Sequence, residues 1–116
     1  MISIIDRKST AQTMPDTSAL DIRKIRRAAA KATALLRLLA NEDRLLLLCQ
    51  LTQGEHCVSE LEELLQIRQP TLSQQLAVLR AEGVVATRRE GKNIHYRIAD
   101  DRVEQVLNLL YQIYCR

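Results

Sequence analysis

The apolar residues of this chain change period at Gly83. Before it they recur every three or four positions, as on one face of a helix; after it they recur about every second position, as on a strand. The stretch that ends at the change, Gln69–Gly83 (QPTLSQQLAVLRAEG), predicts a helix with Leu72, Leu76 and Leu79 as its apolar stripe. Pro70 sits where a first helical turn tolerates a missing N–H, and Gly83 where a helix C-terminus uses backbone freedom. The polar face is unusual. Thr71, Ser73, Gln74 and Gln75 crowd its N-terminal half, and no acid appears until Glu82. Short uncharged side chains that donate and accept hydrogen bonds suit contact with base edges and phosphates, which they do not repel. Gln69, just ahead of Pro70, extends this set. An amphipathic helix with a merely solvated outer face has the same pattern, so the neighbouring segments must decide.

After Gly83, Val84–Arg89 and Ile94–Ile98 read as two strands around the turn Glu90-Gly91-Lys92-Asn93. Two strands are marginal alone in water, so the hairpin must rest on the helices. Arg88, Arg89, Lys92 and Asn93, with little opposing acid, make it a basic projection able to reach phosphates or the minor groove. Ahead of Gln69, Val58, Leu61, Leu64 and Leu65 mark a short third helix with Glu60, Glu62 and Glu63 outside, joined through Ile67–Gln69 to the fourth. Two helices on so short a connection form a helix-turn-helix pattern, although the turn lacks glycine. The order helix, turn, helix, strand, basic turn, strand weighs against a hairpin that is only a solvated charged tip.

The remaining helices build the support. From about Ser18, Ile22, Ile25, Ala29, Ala32, Leu36 and Leu39 trace an apolar stripe, with Arg23, Lys24, Arg26, Arg27 and Lys31 largely opposite, either a solvated face or a phosphate-facing edge. Asn41 reads as an N-cap, followed by Glu42 and Asp43 in a favourable first turn. Arg44–Thr52 is apolar on nearly every side and predicts burial all round, with Gly54 ending it. Asp100 and Asp101 open a last helix to about Tyr114. Its residues Val103, Val106, Leu107, Leu110 and Ile113 or Tyr114 exceed what docking one terminal helix requires. The expectation is a mainly α fold with a small β-hairpin, a winged helix-turn-helix of five helices, forming a homodimer through the first and last. Such a dimer spaces two recognition helices about one DNA turn apart. Residues 1–18 are expected as an N-terminal arm and 19–116 as one DNA-binding and dimerisation domain.

Composition narrows the function. A chain of 116 residues with no Trp or Phe and three Tyr has an aliphatic core suited to helix packing. A net charge of +3 and pI near 9.0 suit a polyanionic partner. No apolar run approaches the roughly 18 residues of a membrane span, and the start, MISIIDRKST, has no secretory-signal pattern. The expected compartment is the cytoplasm, where three cysteines are ordinarily reduced. There is no Cys-x-x-Cys, cofactor-binding glycine motif or assembled Ser/His/Asp set, so neither enzyme activity nor a cofactor is expected.

The segments Leu38–Leu45, Gly54–Leu65, Gln69–Leu79 and Glu82–Val85 through Gly91 to Tyr96-Arg97 resemble the ArsR–SmtB winged-helix repressors of bacteria over roughly residues 30–115. The resemblance implies a dimer on palindromic double-stranded operator DNA, released by an inducer that is often a metal. The metal signatures are broken here. Where arsenic sensors of the family carry ELCVCDL, this chain reads Glu55-His56-Cys57-Val58-Ser59-Glu60-Leu61, with one thiol. Arg102 and Ile113 stand near positions that hold histidines in its zinc sensors, and His56 and His95 lie elsewhere. No closed tetrahedral ligand set is available, so no metal is expected.

Taken singly, Cys49 and Cys115 read as small buried hydrophobes whose thiol pKa is raised. As a pair they resemble the dithiol subgroup of the family, which includes sulfide-responsive repressors. That resemblance implies a Cys49–Cys115 disulfide or polysulfide link, formed by reactive sulfur or an oxidant, that releases DNA at sulfide-detoxification genes. Cys57 is read as a surface thiol, or a remnant of the arsenic-type position, without a role. The rivals are a zinc- or arsenite-responsive repressor using His56 and Cys57 across the dimer, and a small thiol oxidoreductase.

Overall fold

The computed structural model describes residues 21–115; the expected arm at 1–18, and Ser18 as a helix cap, lie outside them. The elements are α1 (Ile22–Leu39), α2 (Glu42–Leu51), β1 (His56–Cys57), α3 (Val58–Leu65), α4 (Thr71–Ala81), β2 (Val85–Glu90), β3 (Asn93–Ile98) and α5 (Asp101–Tyr114). The chain divides into two compact units between Ala34 and Leu35. In the first, every described residue is exposed, including Ile22, Ile25 and the basic run Arg23, Lys24, Arg26, Arg27 and Lys31.

The second unit holds an aliphatic core. Leu72, Leu76 and Leu79 of α4 are buried together with Leu47, Leu48 and Leu51 of α2, Leu61 of α3, Val84, Val85, and Val103 and Leu107 of α5. The α4 stripe is therefore the inner face of a helix, as its spacing predicts. Full burial of each such leucine stabilises the unit by roughly 1.5–3 kcal/mol before entropy costs. Around α2 the outcome differs from the expectation of burial on all sides: Leu46 is 44% exposed and Cys49 is also exposed. The reversal has a simple origin. A short helix between two layers contacts neighbours on two faces, and leucines on the remaining face stay open.

Local chemistry sets the ends of the elements. Asn41 Oδ1 accepts the Arg44 N–H at 3.1 Å and caps α2, with Glu42 and Asp43 in the first turn. Pro70 is the N-cap of α4 rather than its first helical residue. Gly83 has φ +74, and the Val84 N–H reaches back to Leu79 O at 3.0 Å, closing α4 with the left-handed residue its position called for.

The glycine-free turn between α3 and α4 is solved differently. Gln66 itself takes φ 60, ψ 30, and its side-chain amide donates to Glu63 O at 2.7 Å. A β-branched side chain tolerates this conformation poorly, so Gln66→Val is expected to lower the unfolding free energy by about 1–2 kcal/mol in a urea titration.

Asp100 caps α5: its Oδ1 accepts the Arg102 N–H at 2.9 Å, and the Arg102 guanidinium lies 2.9 Å from Oδ2. The hydrogen bond from that guanidinium is the main reason the carboxyl sits below its ordinary value of 3.8. A carboxylate favoured in the folded state stabilises it above the ordinary carboxyl pKa, and that contribution fades as pH falls through the lowered one. The stability difference between the wild type and Asp100→Asn is thus expected to be constant near neutrality and to shrink in thermal melts below about pH 4.

The sheet has three strands rather than the two of a simple hairpin, in the order β1-β3-β2, all antiparallel. β2 and β3 pair from Val85 with Ile98 to Glu90 with Asn93, leaving a two-residue turn at Gly91-Lys92. Gly91, at φ +63, supplies the positive φ that such a turn requires at its first central position. β1 adds His56 opposite Tyr96 and Cys57 opposite His95. This pairing corrects the reading of Cys57 as a surface thiol. It is 8% exposed, at the start of α3, with Sγ 3.3 Å from Ser59 Oγ.

Candidate functional site

The polar residues on the N-terminal half of α4 divide by what already engages them. Thr71, Ser73 and Gln74 are exposed. Gln69 Oε1 accepts both the Ser73 N–H at 3.1 Å and the Ser73 hydroxyl at 2.6 Å, so this pair finishes the helix start that Pro70 leaves uncapped. Gln75 is half-buried, and its Oε1 accepts from Arg44 Nη1 at 3.1 Å. Arg44 also donates through Nε to Leu38 O at 2.6 Å and through Nη2 to Arg37 O at 3.4 Å. One guanidinium thus ties the end of α1, α2 and α4 together. Sequence reading missed it, because an Arg in the first turn of an apolar helix carries no mark of partners 31 residues away.

The wing divides in the same way. Arg88 Nε lies 2.7 Å from Glu55 Oε1 and Nη1 lies 3.4 Å from Glu90 Oε1; the Glu55 contact is the main reason its pKa is raised further. Arg89 donates to Gly91 O at 3.4 Å and is exposed, as are Lys92 and Asn93 at the tip. Among the described residues no carboxylate pairs with Arg89 or Lys92. The cations open to an incoming polyanion are therefore at the tip, and Arg88 anchors the strand that carries them.

The two histidines are engaged within the fold. His56 Nδ1 is 3.6 Å from Glu60 Oε1 and its Nε2 is 3.3 Å from Gln50 Nε2, while His95 Nε2 is 3.3 Å from Glu90 Oε1. Among the described residues no three His, Cys, Asp or Glu side chains gather as a metal cluster.

Cys49 on α2 and Cys115, the C-cap of α5, line one groove of about 820 Å³, together with Leu45, Leu46, Leu107, Leu110, Tyr111 and Tyr114. Both thiols are exposed rather than buried as expected, but the partial desolvation of Cys49 in the groove pushes its thiol up, and the nearby charge of Cys115 pushes it further the same way. Cys57 does not line this groove and lies on β1.

Residues 41–87 match the family model described as bacterial regulatory protein, arsR family. The biofilm growth-associated repressor of Agrobacterium fabrum is 48% identical over 100 residues, covering 86% of each chain. The chain belongs to the arsR family of bacterial regulatory proteins.

The crystal structure of the transcriptional repressor BigR from Xylella fastidiosa superposes with a TM-score of 0.75 at 44% identity, over 82% of this chain and 94% of that one. The transcriptional activator HlyU of Vibrio cholerae is 38% identical over 97 residues, 84% of this chain and 90% of its own. The reduced HlyU structure aligns with a TM-score of 0.77 at 39% identity, over 81% and 99% of the two chains. This arsR-family chain therefore has the winged-helix fold of a DNA-binding transcriptional regulator and is not an enzyme. Among its described residues no helix is long and apolar enough to cross a membrane.

Proposed function

We propose that this arsR-family protein is a cytoplasmic repressor that binds operator DNA as a homodimer and releases it when Cys49 and Cys115 become linked. The observation that carries the switch is their place in one groove, lined from α2 by Cys49 and from the end of α5 by Cys115. The chemistry balances as two exchanges. A Cys49 or Cys115 thiolate takes the outer sulfur of a low-molecular-weight persulfide and releases the corresponding thiol. The second cysteine then attacks the inner sulfur of the protein persulfide, forming the disulfide and releasing hydrogen sulfide; when both cysteines have first taken up a sulfur, attack of one persulfide on the inner sulfur of the other gives a trisulfide link and again releases hydrogen sulfide. Genes for sulfide detoxification fit such a signal.

In this reading Gln69, Thr71, Ser73, Gln74 and Gln75 read or position DNA from α4, and Arg88, Arg89, Lys92 and Asn93 hold the wing to the backbone. Thr71 and Gln74 are the base-reading residues, whereas Gln75 and Arg88 contribute largely through Arg44 and Glu55, which fix them. The homodimer forms through α1 and α5. Supporting it are apolar side chains left open on both: Ile22, Ile25 and Leu36 on α1, and Leu109, Ile113 and Tyr114 on α5, the last 78% exposed. The whole of residues 19–116 then serves as the DNA-binding and dimerisation domain. The test is a mobility-shift titration on the promoter of its own gene, with and without polysulfide. Binding that ignores polysulfide would remove the switch, and no specific binding in either state would remove the repressor.

A further inference from the structure

A second concavity, of about 470 Å³, opens between α4 and the wing, lined by Ser73, Ala77, Arg80, Ala81 and Tyr96. Neither the base-reading set nor the wing tip includes Arg80 or Tyr96. The lining has a consistent chemistry. Two of the five lining residues are alanines, whose small side chains leave room for a group broader than a side chain. No carboxylate lines it, and among the described residues Arg80 makes no ion pair. The Ser73 hydroxyl proton is committed to Gln69, so the side-chain donors left among the lining residues are the Arg80 guanidinium and the Tyr96 phenol. Tyr96 is held firmly, since β3 is the central strand and Tyr96 pairs with Thr87 on one side and His56 on the other.

We propose that this cleft seats one backbone phosphate of the DNA duplex, gripped by Arg80 and Tyr96. The inference rests on the reading of α4 and the wing as the DNA-facing elements. A duplex strand that passes from a groove holding α4 to the wing crosses the space between them. Two donors over an open floor suit a phosphodiester already delivered by the duplex; they are too few to hold a free anion against water. Phosphate contacts fix the register of a protein on DNA without reading its sequence.

The experiment is a salt titration of binding to operator and to random duplex by wild type, Arg80→Gln, Arg80→Lys and Tyr96→Phe, with circular dichroism to show that each variant folds. Arg80→Gln is expected to bind both duplexes about tenfold more weakly. It should also lower the slope of log affinity against log salt by about one per protomer, leaving the operator-to-random ratio unchanged. Arg80→Lys keeps the slope, and Tyr96→Phe loses affinity without changing it. If wild type binds operator and Arg80→Gln keeps the full slope, the clamp is wrong while the repressor reading stands. A fall in the operator-to-random ratio in Arg80→Gln would also overturn it, by making Arg80 a base reader. Inorganic phosphate is titrated into the DNA-free protein as a last arm. Saturable binding that Arg80→Gln abolishes would make the cleft an effector site instead.

Discussion

Polysulfide is expected to release the wild-type protein from its operator and to leave Cys49→Ser and Cys115→Ser bound. A coupling of 1–3 kcal/mol between the thiol pair and the DNA-binding surface corresponds to about 5–150-fold in affinity, which a mobility-shift titration resolves. Cys57→Ser should switch normally, because Cys57 is buried on β1, away from the groove shared by the other two. Thiol reductants should restore binding. Normal release from both single-serine variants would return Cys49 and Cys115 to the status of packing residues. The raised thiol of Cys49 adds a rate dependence: only the thiolate attacks, so its reaction should accelerate as pH rises into and beyond the ordinary thiol range. The link also closes a loop of about 66 residues, worth on the order of 4 kcal/mol of stability by chain entropy. Strain in the linked state lowers the measured gain below that figure.

Replacing Arg89 and Lys92 together by alanine should weaken binding to every duplex and flatten its salt dependence by about two per protomer. Both cations are exposed at the wing tip and meet no carboxylate among the described residues. Arg88→Ala is expected to flatten the slope much less, because Glu55 and Glu90 already neutralise that guanidinium. Gln74→Ala separates the other mode of contact. It should narrow the gap between operator and random DNA by about 1–3 kcal/mol and leave the slope alone. An unchanged slope in the double-alanine protein, measured at 50 and 200 mM salt, would sink the assignment of the wing.

Features with local causes were legible in the sequence. The α4 leucines, the Asn41 and Asp100 caps, the positive φ of Gly83 and the hairpin around Gly91 each follow from a few adjacent residues. Features that depend on distant pairing were not. β1 is two residues long and shows no period, so only its partner at Tyr96 makes it a strand. Glu55 and Arg88 stand 33 positions apart, and Arg44 and Gln75 stand 31 apart. Nothing in either local stretch signals that Gln75 and Arg88, two of the nine expected DNA-facing side chains, are held by Arg44 and Glu55. The exposed face of α2 was illegible for another reason. Leu46 and Cys49 have the composition of a core but lie on the side that opens into the groove shared with α5.

The short strand β1 has a mechanical consequence. It hydrogen-bonds the residues that begin α3 to the strand that carries the wing, so the first helix of the helix-turn-helix and the wing behave as one jaw rather than two fingers. In the proposed dimer, a signal at α5 is then expected to act on the distance between two such jaws. Inactivation should therefore depend on half-site spacing: an operator lengthened or shortened by a base pair would mimic the signal on the reduced protein, while a lone half-site would remain indifferent to it.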